Sequence, residues 1–556
     1  MKTKLEADET RRKGVADGPK DQKAGGRTRH ELHATRHRVR HGVGACYGLY
    51  TTFLTLAQTQ GAWPQWLASL PWGAAGAPPS GNAAVALPPA GGVHPGLSPI
   101  TATFAMAALA AGQNDLLSGV WSLAVCAKNQ QLGDLVRTVR SRPGVIMLLS
   151  AAIGGPFAAT CYVVALNAAT RAGNPGVIVP IAALNVTVGA ILGRIMFGQR
   201  LSAKTAAGIA VCLGAGAVIG GASLSTMGAG AVMGCAFALL AAIGWGFEGC
   251  VAGFGTALID YRIGIAIRQL TAGILEAAVL FPALAAIGGD AASLPALSAA
   301  ALTSPAMPMF ALSGLFAMPA YSFWYKGNSM CGAALGMACN GMYAFWTPLF
   351  MWLLLGVAGI GGAPQNYPPL SAAQWAGAII MVAGIFLIAM GQRSGQNTGS
   401  EADTDANAQD EREKNPEDAR ASFADRGHML RKALDHTDLP LSYAVILQLA
   451  DGAPASASDV MCALKPSYGT RKMLNESAVC EMLATARENG LVEEFAKVSR
   501  TANVESEDDH TGGHTGERGD NTNTGDCGET LYRMTPFGLE TLERMLGLNA
   551  PRKSQR

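Results

Sequence analysis

The chain has 556 residues and a formal net charge of +2, and 15% of its residues are charged whereas 49% are hydrophobic. A typical soluble domain carries charge on about 25% of its residues, so this composition excludes an ordinary soluble protein. The charged residues concentrate in 1–41 and 392–556, which predicts a membrane protein with two polar ends.

The first polar end, 1–41, contains twelve Lys or Arg and six Asp or Glu. This excess of positive charge predicts a disordered cytoplasmic tail that is attracted to anionic lipid headgroups. The tail has four histidines, but short His spacings in a flexible segment are a weak signal of metal binding. The eleven cysteines of the chain show no close CxxC spacing. We therefore predict no metal site and no cofactor.

The middle of the chain is apolar enough for ten membrane crossings, since roughly 20 apolar residues cross a bilayer. The ten windows are Val43–Gln58, Ile100–Ala127, Gly144–Ala168, Pro175–Phe197, Ala203–Ala222, Ala229–Gly255, Ile263–Gly288, Met307–Tyr325, Cys331–Val357 and Ser371–Gly391. The first window is the weakest because it is short, and a signal peptide is its alternative interpretation. The 41 residues that precede it are longer than the polar region of a normal signal peptide.

The connections between these windows alternate in charge, which predicts the orientation. Lys and Arg close to a membrane stay in the cytoplasm. Basic residues occur in every second connection, including one that contains Lys326, whereas the intervening connections contain only Arg171. The pattern predicts a multi-pass protein of the plasma or inner membrane with both termini in the cytoplasm and Lys326 in a loop.

Two short matches indicate an internal repeat. LSAKTAAG at Leu201–Gly208 resembles LSAAQWAG at Leu370–Gly377, and YGLY in the first window resembles WGFE in the sixth. Five crossings per repeat give two halves of opposite orientation, 42–222 and 223–391, as in many secondary transporters. The first half would include an extracytoplasmic loop over 59–99. Chance matches between Ala/Gly-rich helices are the alternative explanation.

The segment GQRLSAKTAAGIAVCLGAGAVI at Gly198–Ile219 resembles the entry of the fifth helix in EamA-type proteins of the drug/metabolite transporter superfamily. CGAALGMACNGMYAFWTPLFMWLLLG, followed by PPLSAAQWAGAIIMVAGIFLIAMG, resembles the corresponding part of the second half. The resemblance covers Gly42–Gly391. It implies a carrier of ten helices in two inverted five-helix repeats, within a superfamily whose substrates vary widely.

Ionisable residues inside membrane spans are costly and are therefore functional candidates. Within the predicted spans these are Asp115, Arg194, Glu248, Arg268 and Glu276. Glu248 and Arg268 fall at similar depth, so a structural ion pair is one role for Glu248. The others are binding of a proton or cationic group and contact with headgroups. Asp115 would either pair with Arg194 or lie in water, and Glu276 is a central acid in the seventh span.

Aromatic residues cluster in the ninth predicted span before Pro348, which can kink a helix and free a backbone carbonyl. Tyr343 and Trp346 are therefore candidates for the wall of a solute cavity. Aromatic packing beside lipid is the alternative.

After Gly391 we predict a polar linker over 392–436 and a small α+β domain over 437–548. Three helices, a strand, a disordered acidic insert over 501–529, a second strand and a last helix resemble a winged-helix domain. Residues 438–497 contain five Lys or Arg and eight Asp or Glu. This negative balance disfavours nucleic acid and favours a protein partner or a homodimer. Arg471 and Lys472 leave DNA binding as the alternative.

The sequence thus predicts a secondary transporter that moves a small organic solute by alternating access. The alternative is a membrane-bound sensor whose core binds a solute and whose soluble domain signals to protein or DNA. No nucleophile and base pair, phosphate-binding loop or metal motif is evident, so we predict no enzyme and no catalytic residue. The candidates for binding solute or protons are Asp115, Glu248, Arg268, Glu276, Tyr343 and Trp346.

Overall fold

A computed structural model describes ten ranges of the chain. They are 42–68, 97–172, 175–197, 201–227, 229–255, 258–360, 369–391, 416–434, 439–497 and 530–546. The predicted tail 1–41 and insert 501–529 lie outside these ranges, as does most of the predicted loop 59–99.

Helices make up the first part of the membrane region. They are α1 at 42–57, α2 at Trp63–Ala68, α3 at 99–128, α4 at Leu132–Arg140, α5 at Arg142–Arg171, α6 at Ile178–Ala182, α7 at Asn185–Phe197 and α8 at Ala203–Met227. The start of α5 illustrates how the local sequence sets a boundary. The Ser141 hydroxyl accepts a hydrogen bond from the Gly144 backbone N–H at 3.3 Å, and Pro143 occupies the first turn, where its missing N–H costs nothing.

The second part of the membrane region, from residue 229 onward, is also helical. They are α9 at Ala229–Gly255, α10 at Tyr261–Ile287, α11 at Leu294–Leu302, α12 at Met307–Gly341, α13 at Tyr343–Val357 and α14 at Ala372–Gly391. Asp260 caps α10, since its carboxylate accepts from the Arg262 backbone N–H at 2.8 Å.

Six helical segments of the described chain are long and apolar enough to cross a membrane. They are Arg142–Arg171, Pro175–Ile195, Ala203–Ala222, Val232–Ala252, Tyr261–Ile287 and Ala372–Gly391. A seventh is present if Ala291–Leu302 and Met307–Gly327, which meet at a bend of 76°, form one span. The protein is therefore a helical membrane protein with fewer clear spans than the predicted ten. The predicted first and ninth spans correspond to the shorter helices α1 and α13, and the predicted second span corresponds to α3, which is not among these candidate spans.

The predicted loop around Lys326 is wrong. Residues 307–341 form one continuous helix, α12, so Lys326 lies within a helix and the predicted start of the ninth span at Cys331 falls in the same helix. No proline follows Pro319 in this stretch, so nothing in the sequence forces the backbone to leave the helix.

Two long helices contain π-helical segments near their middles. In α5 the segment is Ile153–Ala159, which includes Pro156, and in α10 it is Glu276–Leu280. Proline cannot donate the regular helical hydrogen bond, which explains the irregularity in α5. The two π segments contact each other. Since π bulges often accompany functional sites, the residues around this contact are candidates for a functional site.

The polar end folds into a soluble unit that packs around one core. Its elements are α15 at Pro416–Leu434, α16 at Leu441–Leu447, α17 at Ala457–Tyr468, α18 at Glu476–Glu488, β1 at Val492–Lys497, β2 at Thr530–Met534 and α19 at Pro536–Leu546. The two strands pair antiparallel, with Val492 opposite Met534. The element order from α16 onward is the predicted one.

Helix α15 falls inside the predicted linker 392–436, so the linker is shorter than predicted. The segment has proline in its first turn, Arg431 and Lys432 in its last turn and helix-forming residues between them. Leu430 is 3% exposed in the soluble core, and Arg426 donates to Glu543 at 2.9 and 2.6 Å. The helix is therefore part of the soluble unit.

Candidate functional site

Helices α3 and α10 pack closely together in the interior of the membrane region, and α5 contacts both α9 and α10. A Cβ atom at Gly273 of α10 would lie 2.6 Å from the Leu116 backbone nitrogen of α3. Helix α9 likewise packs against α5. Small residues permit this close approach between membrane helices. It brings the ionisable side chains of three helices into one buried space.

Arg268 of α10 lies at the centre of this space, with no exposed surface. Its Nε donates to Glu248 Oε1 at 2.9 Å and its Nη2 to Glu248 Oε2 at 3.3 Å, so the two side chains form a bidentate pair. Its Nη1 donates to Asp115 Oδ2 at 2.6 Å. We call Asp115, Glu248 and Arg268 the charge cluster. Burying a charge requires such partners, because an uncompensated ion loses its hydration.

Polar side chains surround the charge cluster and fix its geometry. Asn114 Nδ2 donates to Asp115 Oδ1 at 3.0 Å, and the Ser313 hydroxyl donates to Asn114 Oδ1 at 2.6 Å. Gln269 accepts from Arg268 through its side-chain oxygen and donates to the Ser118 hydroxyl at 2.7 Å. Helices α3, α10 and α12 are therefore linked by one hydrogen-bonded network.

Glu276 lies on α10 two turns beyond Arg268, at the start of the π segment. Its side chain has no exposed surface, and among the described residues neither carboxyl oxygen has a hydrogen-bond partner. A Cβ at Gly155 would lie 3.3 Å from Glu276 Oε1, and one at Gly112 would lie 3.1 Å from Glu276 Cβ. The carboxyl group is thus enclosed by two helices. A negative charge there would cost several kcal/mol, so a bound proton or cationic group would stabilise it.

Gly154 makes room for the carboxylate of Glu248. A Cβ at this position would overlap Glu248 Oε2, so only glycine fits beside the bidentate pair. The Gly154 carbonyl also accepts a hydrogen bond from Trp245 Nε1 at 3.1 Å, which holds α9 against the π segment of α5.

An aromatic group covers one side of the charge cluster. The Arg268 guanidinium lies 4.5 Å from the ring centre of Tyr321, a cation–π arrangement. Tyr47 packs against Tyr321 at 5.3 Å and stacks on Tyr343 at 5.1 Å, where both distances join ring centres. Tyr343, a predicted candidate, is therefore connected to Arg268 through two intervening rings, and its buried hydroxyl has no hydrogen-bond partner among the described residues.

Trp346, the other aromatic candidate, lies apart from the charge cluster. Its ring stacks on Phe350 at a centroid distance of 5.7 Å and packs against Gly44 of α1. Its surroundings are those of a helix contact.

The predicted alternatives for Asp115 are both wrong. Asp115 is 1% exposed, so it does not lie in water, and it pairs with Arg268 instead of Arg194. The Arg194 side chain is exposed. A sequence pattern could not choose between the two arginines, because they lie on different helices and only packing decides which one faces Asp115.

Sequence reasoning missed several members of the site. Gln269 and Ser118 carry part of the hydrogen-bonded network, and Tyr321 covers Arg268. A polar residue directly beside Arg268 and the aromatic run around Tyr321 were signals that could have found two of them. Ser118 had no such signal, since serine is common in membrane helices.

The site holds three carboxyl groups and one guanidinium out of contact with water, and a buried carboxyl group is a side chain that a proton or a cationic group can neutralise. Within the described ranges, no group of three or more His, Cys, Asp or Glu side chains is arranged to hold a metal ion.

No family model and no curated protein matches the chain. A solved structure described as "Crystal structure of protein" aligns with 63% of this chain and 98% of its own, at 16% identity and a TM-score of 0.34. A likeness of this size carries no argument about fold or function.

Proposed function

We propose that this protein is a secondary transporter that moves a small organic solute across the plasma or inner membrane by alternating access. Six or seven apolar helices support a membrane role. The EamA-like segments support two inverted five-helix halves and both termini in the cytoplasm. Asp115, Glu248, Arg268, Glu276 and Tyr343 are the residues we assign to binding of solute or protons.

One observation carries this proposal, namely the imbalance of buried charge. Arg268 supplies one positive charge for three carboxyl groups, and Glu276 has no partner within the described chain. A purely structural cluster would balance its charges, because each uncompensated charge in a membrane interior costs several kcal/mol. A site that binds and releases a proton or a cationic group explains the surplus.

The charge cluster also joins the two proposed halves. Asp115 belongs to the first half, whereas Glu248 and Arg268 belong to the second. A proton or cationic group that neutralises Asp115 removes the charge attraction between α3 and α10 and leaves the Glu248–Arg268 pair within the second half. Binding would thus loosen the contact between the halves, which is the step that alternating access requires.

The sensor remains the second candidate, and one observation favours it. The soluble unit contacts several membrane helices, and Glu481 lies 2.5 Å from Lys326 of α12. A solute-driven movement of those helices would reach the soluble unit directly.

Uptake into proteoliposomes separates the two functions. Full-length protein should accumulate one member of a panel of radiolabelled amino acids, nucleosides and organic cations when a pH gradient is imposed, and an ionophore that dissipates the gradient should stop accumulation. Glu276→Gln should abolish this dependence on the gradient, whereas the matched surface variant Glu493→Gln should leave it unchanged. A protein that is stabilised by a solute in thermal unfolding but never accumulates it would instead support the sensor.

A further inference from the structure

The soluble unit is docked onto the membrane region at two separate places. The first is the connection between α3 and α5. Asp134 of α4 accepts from the Arg471 guanidinium and from the Leu441 backbone N–H, at 3.4 Å for the latter. The Ser141 and Tyr443 hydroxyls lie 3.2 Å apart. Each of these contacts joins the soluble unit to the first proposed half.

Two further hydrogen bonds strengthen the first place of contact. Lys472 Nζ donates to the Lys128 carbonyl at 3.3 Å, and Arg142 Nη1 donates to the Arg544 carbonyl at 3.2 Å. They lie on either side of α4, so the soluble unit holds this connection at both ends.

The second place is the end of α10 together with α12, both from the second proposed half. Leu258, just before α10, is 2% exposed and belongs to the hydrophobic core of the soluble unit. Lys326 Nζ lies 2.5 Å from Glu481 Oε1 of α18. The soluble unit therefore includes an apolar side chain of the membrane region in its own core.

We propose that the soluble unit is an inhibitory clamp, whose partner is the cytoplasmic end of the protein's own membrane core. This inference rests on the proposed carrier function. Alternating access requires the halves to separate at the cytoplasmic end. The clamp bridges α4 of one half and α10 and α12 of the other, so inward opening must break at least one set of contacts. Release of the soluble unit therefore increases inward opening.

The contacts are of a strength that permits release. The Lys326 and Glu481 side chains are 22% and 33% exposed, so water and salt screen their attraction. The Arg471–Asp134 pair is more buried, at 16% and 7%. Burial of Leu258 adds an apolar contribution that a partly solvated ion pair lacks.

Cys126 offers a test that needs no knowledge of the solute. It has no exposed surface and lies at the end of α3, with its sulfur 3.7 Å from the Arg262 carbonyl of α10. It thus sits between the two halves next to the clamp, and separation of α3 from α10 would expose it. Cys462 on α17 is exposed and serves as an internal control.

The experiment measures modification of the two cysteines by N-ethylmaleimide in full-length protein, with peptide mass spectrometry as the readout. Lys326→Glu and Glu481→Lys each replace an attraction by a repulsion, and each should raise the rate at Cys126 about tenfold. The double variant Lys326→Glu/Glu481→Lys restores opposite charges and should return the rate to near wild type. The rate at Cys462 should stay the same in all four proteins.

Two results at Cys126 would overturn the clamp. One is an unchanged rate in both single variants, and the other is an equally high rate in the double variant, since the effect would then not come from this contact. Uptake of the radiolabelled amino acids, nucleosides and organic cations distinguishes failure of the clamp from failure of the carrier function. Faster uptake by the single variants supports the clamp. Unchanged uptake despite a faster rate at Cys126 overturns its inhibitory role, whereas no uptake by any of the four proteins overturns the carrier function and leaves the docking intact.

Discussion

The Arg268 guanidinium donates hydrogen bonds to both carboxylate oxygens of Glu248, from Nε to Oε1 at 2.9 Å and from Nη2 to Oε2 at 3.3 Å. The same guanidinium reaches Asp115 through Nη1 at 2.6 Å. One cation therefore compensates two buried anions on two other helices. Removal of Arg268 would therefore leave two buried carboxylates without this positive partner.

Replacing Arg268 should destabilise the protein strongly. Arg268→Gln leaves Asp115 and Glu248 buried without a positive partner, and we expect the free energy of unfolding to fall by about 3–5 kcal/mol. Chemical unfolding in detergent measures this loss. The matched variant Arg426→Gln breaks an ion pair with Glu543 that is partly solvated, 48% and 18% exposed, and should cost less than about 1 kcal/mol. Equal losses in the two variants would contradict the central role of Arg268.

Glu248 and Glu276 should respond differently to conversion to glutamine. Glu248→Gln removes the bidentate ionic partner of Arg268, and we expect a loss of about 1–3 kcal/mol in the free energy of unfolding. Glu276→Gln removes no partner seen in the structure and should lose little stability while it abolishes gradient-driven uptake. Unfolding and uptake measured on the same preparations check both expectations. A large stability loss in Glu276→Gln would indicate a structural role for that carboxyl group.

A methyl group at Gly154 should disrupt the charge cluster. Gly154→Ala places Cβ where Glu248 Oε2 lies, so the carboxylate must move away from Arg268, and we expect a loss of about 1–3 kcal/mol from overpacking. Gly214→Ala on α8 is the matched control, because nothing lies within 4 Å of a Cβ at that position. It should be neutral or stabilise by up to about 1 kcal/mol through helix propensity. Thermal unfolding distinguishes the variants, and a neutral Gly154→Ala would refute the close fit.

Asp134 should make stability depend on pH at the junction of the soluble unit. Burial raises the pKa of this carboxyl group from its usual 3.8, although Arg471, the Leu441 N–H and Arg137 act in the opposite direction. The folded state therefore binds the proton more tightly than the unfolded chain does. The stabilisation that results from proton binding to Asp134 is fully present below pH 3.8. It decreases as the pH rises from 3.8 to the raised pKa, and above that pKa the contribution of Asp134 no longer changes with pH.

The variant Asp134→Asn isolates that effect. Its free energy of unfolding, measured between pH 3 and 7, should lack the contribution of Asp134, so the value for the wild type minus that for the variant should decrease as pH rises above 3.8. The difference between the two curves reports Asp134 alone, because the other carboxyl groups are common to both proteins. Parallel curves over the whole range would show that the pKa of Asp134 is not raised.

The sequence by itself determined the helical membrane character and the order of elements in the soluble unit from α16 onward. These features depend on local composition, since apolar runs, caps and turn residues act over a few neighbouring positions. Local composition also predicted that Glu248 and Arg268, only 20 residues apart on adjacent helices, fall at similar depth.

Only the tertiary structure decided the partners that lie far apart in the chain. Asp115 joins Arg268 across 153 residues, Glu276 is left without a partner among the described residues, and Lys326 meets Glu481 from within a continuous helix. The physical reason is that hydropathy sets how deep a residue lies but not which way it faces around its helix. The direction follows from how glycines such as Gly154 and Gly273 let particular helices approach, and that depends on all the helices together.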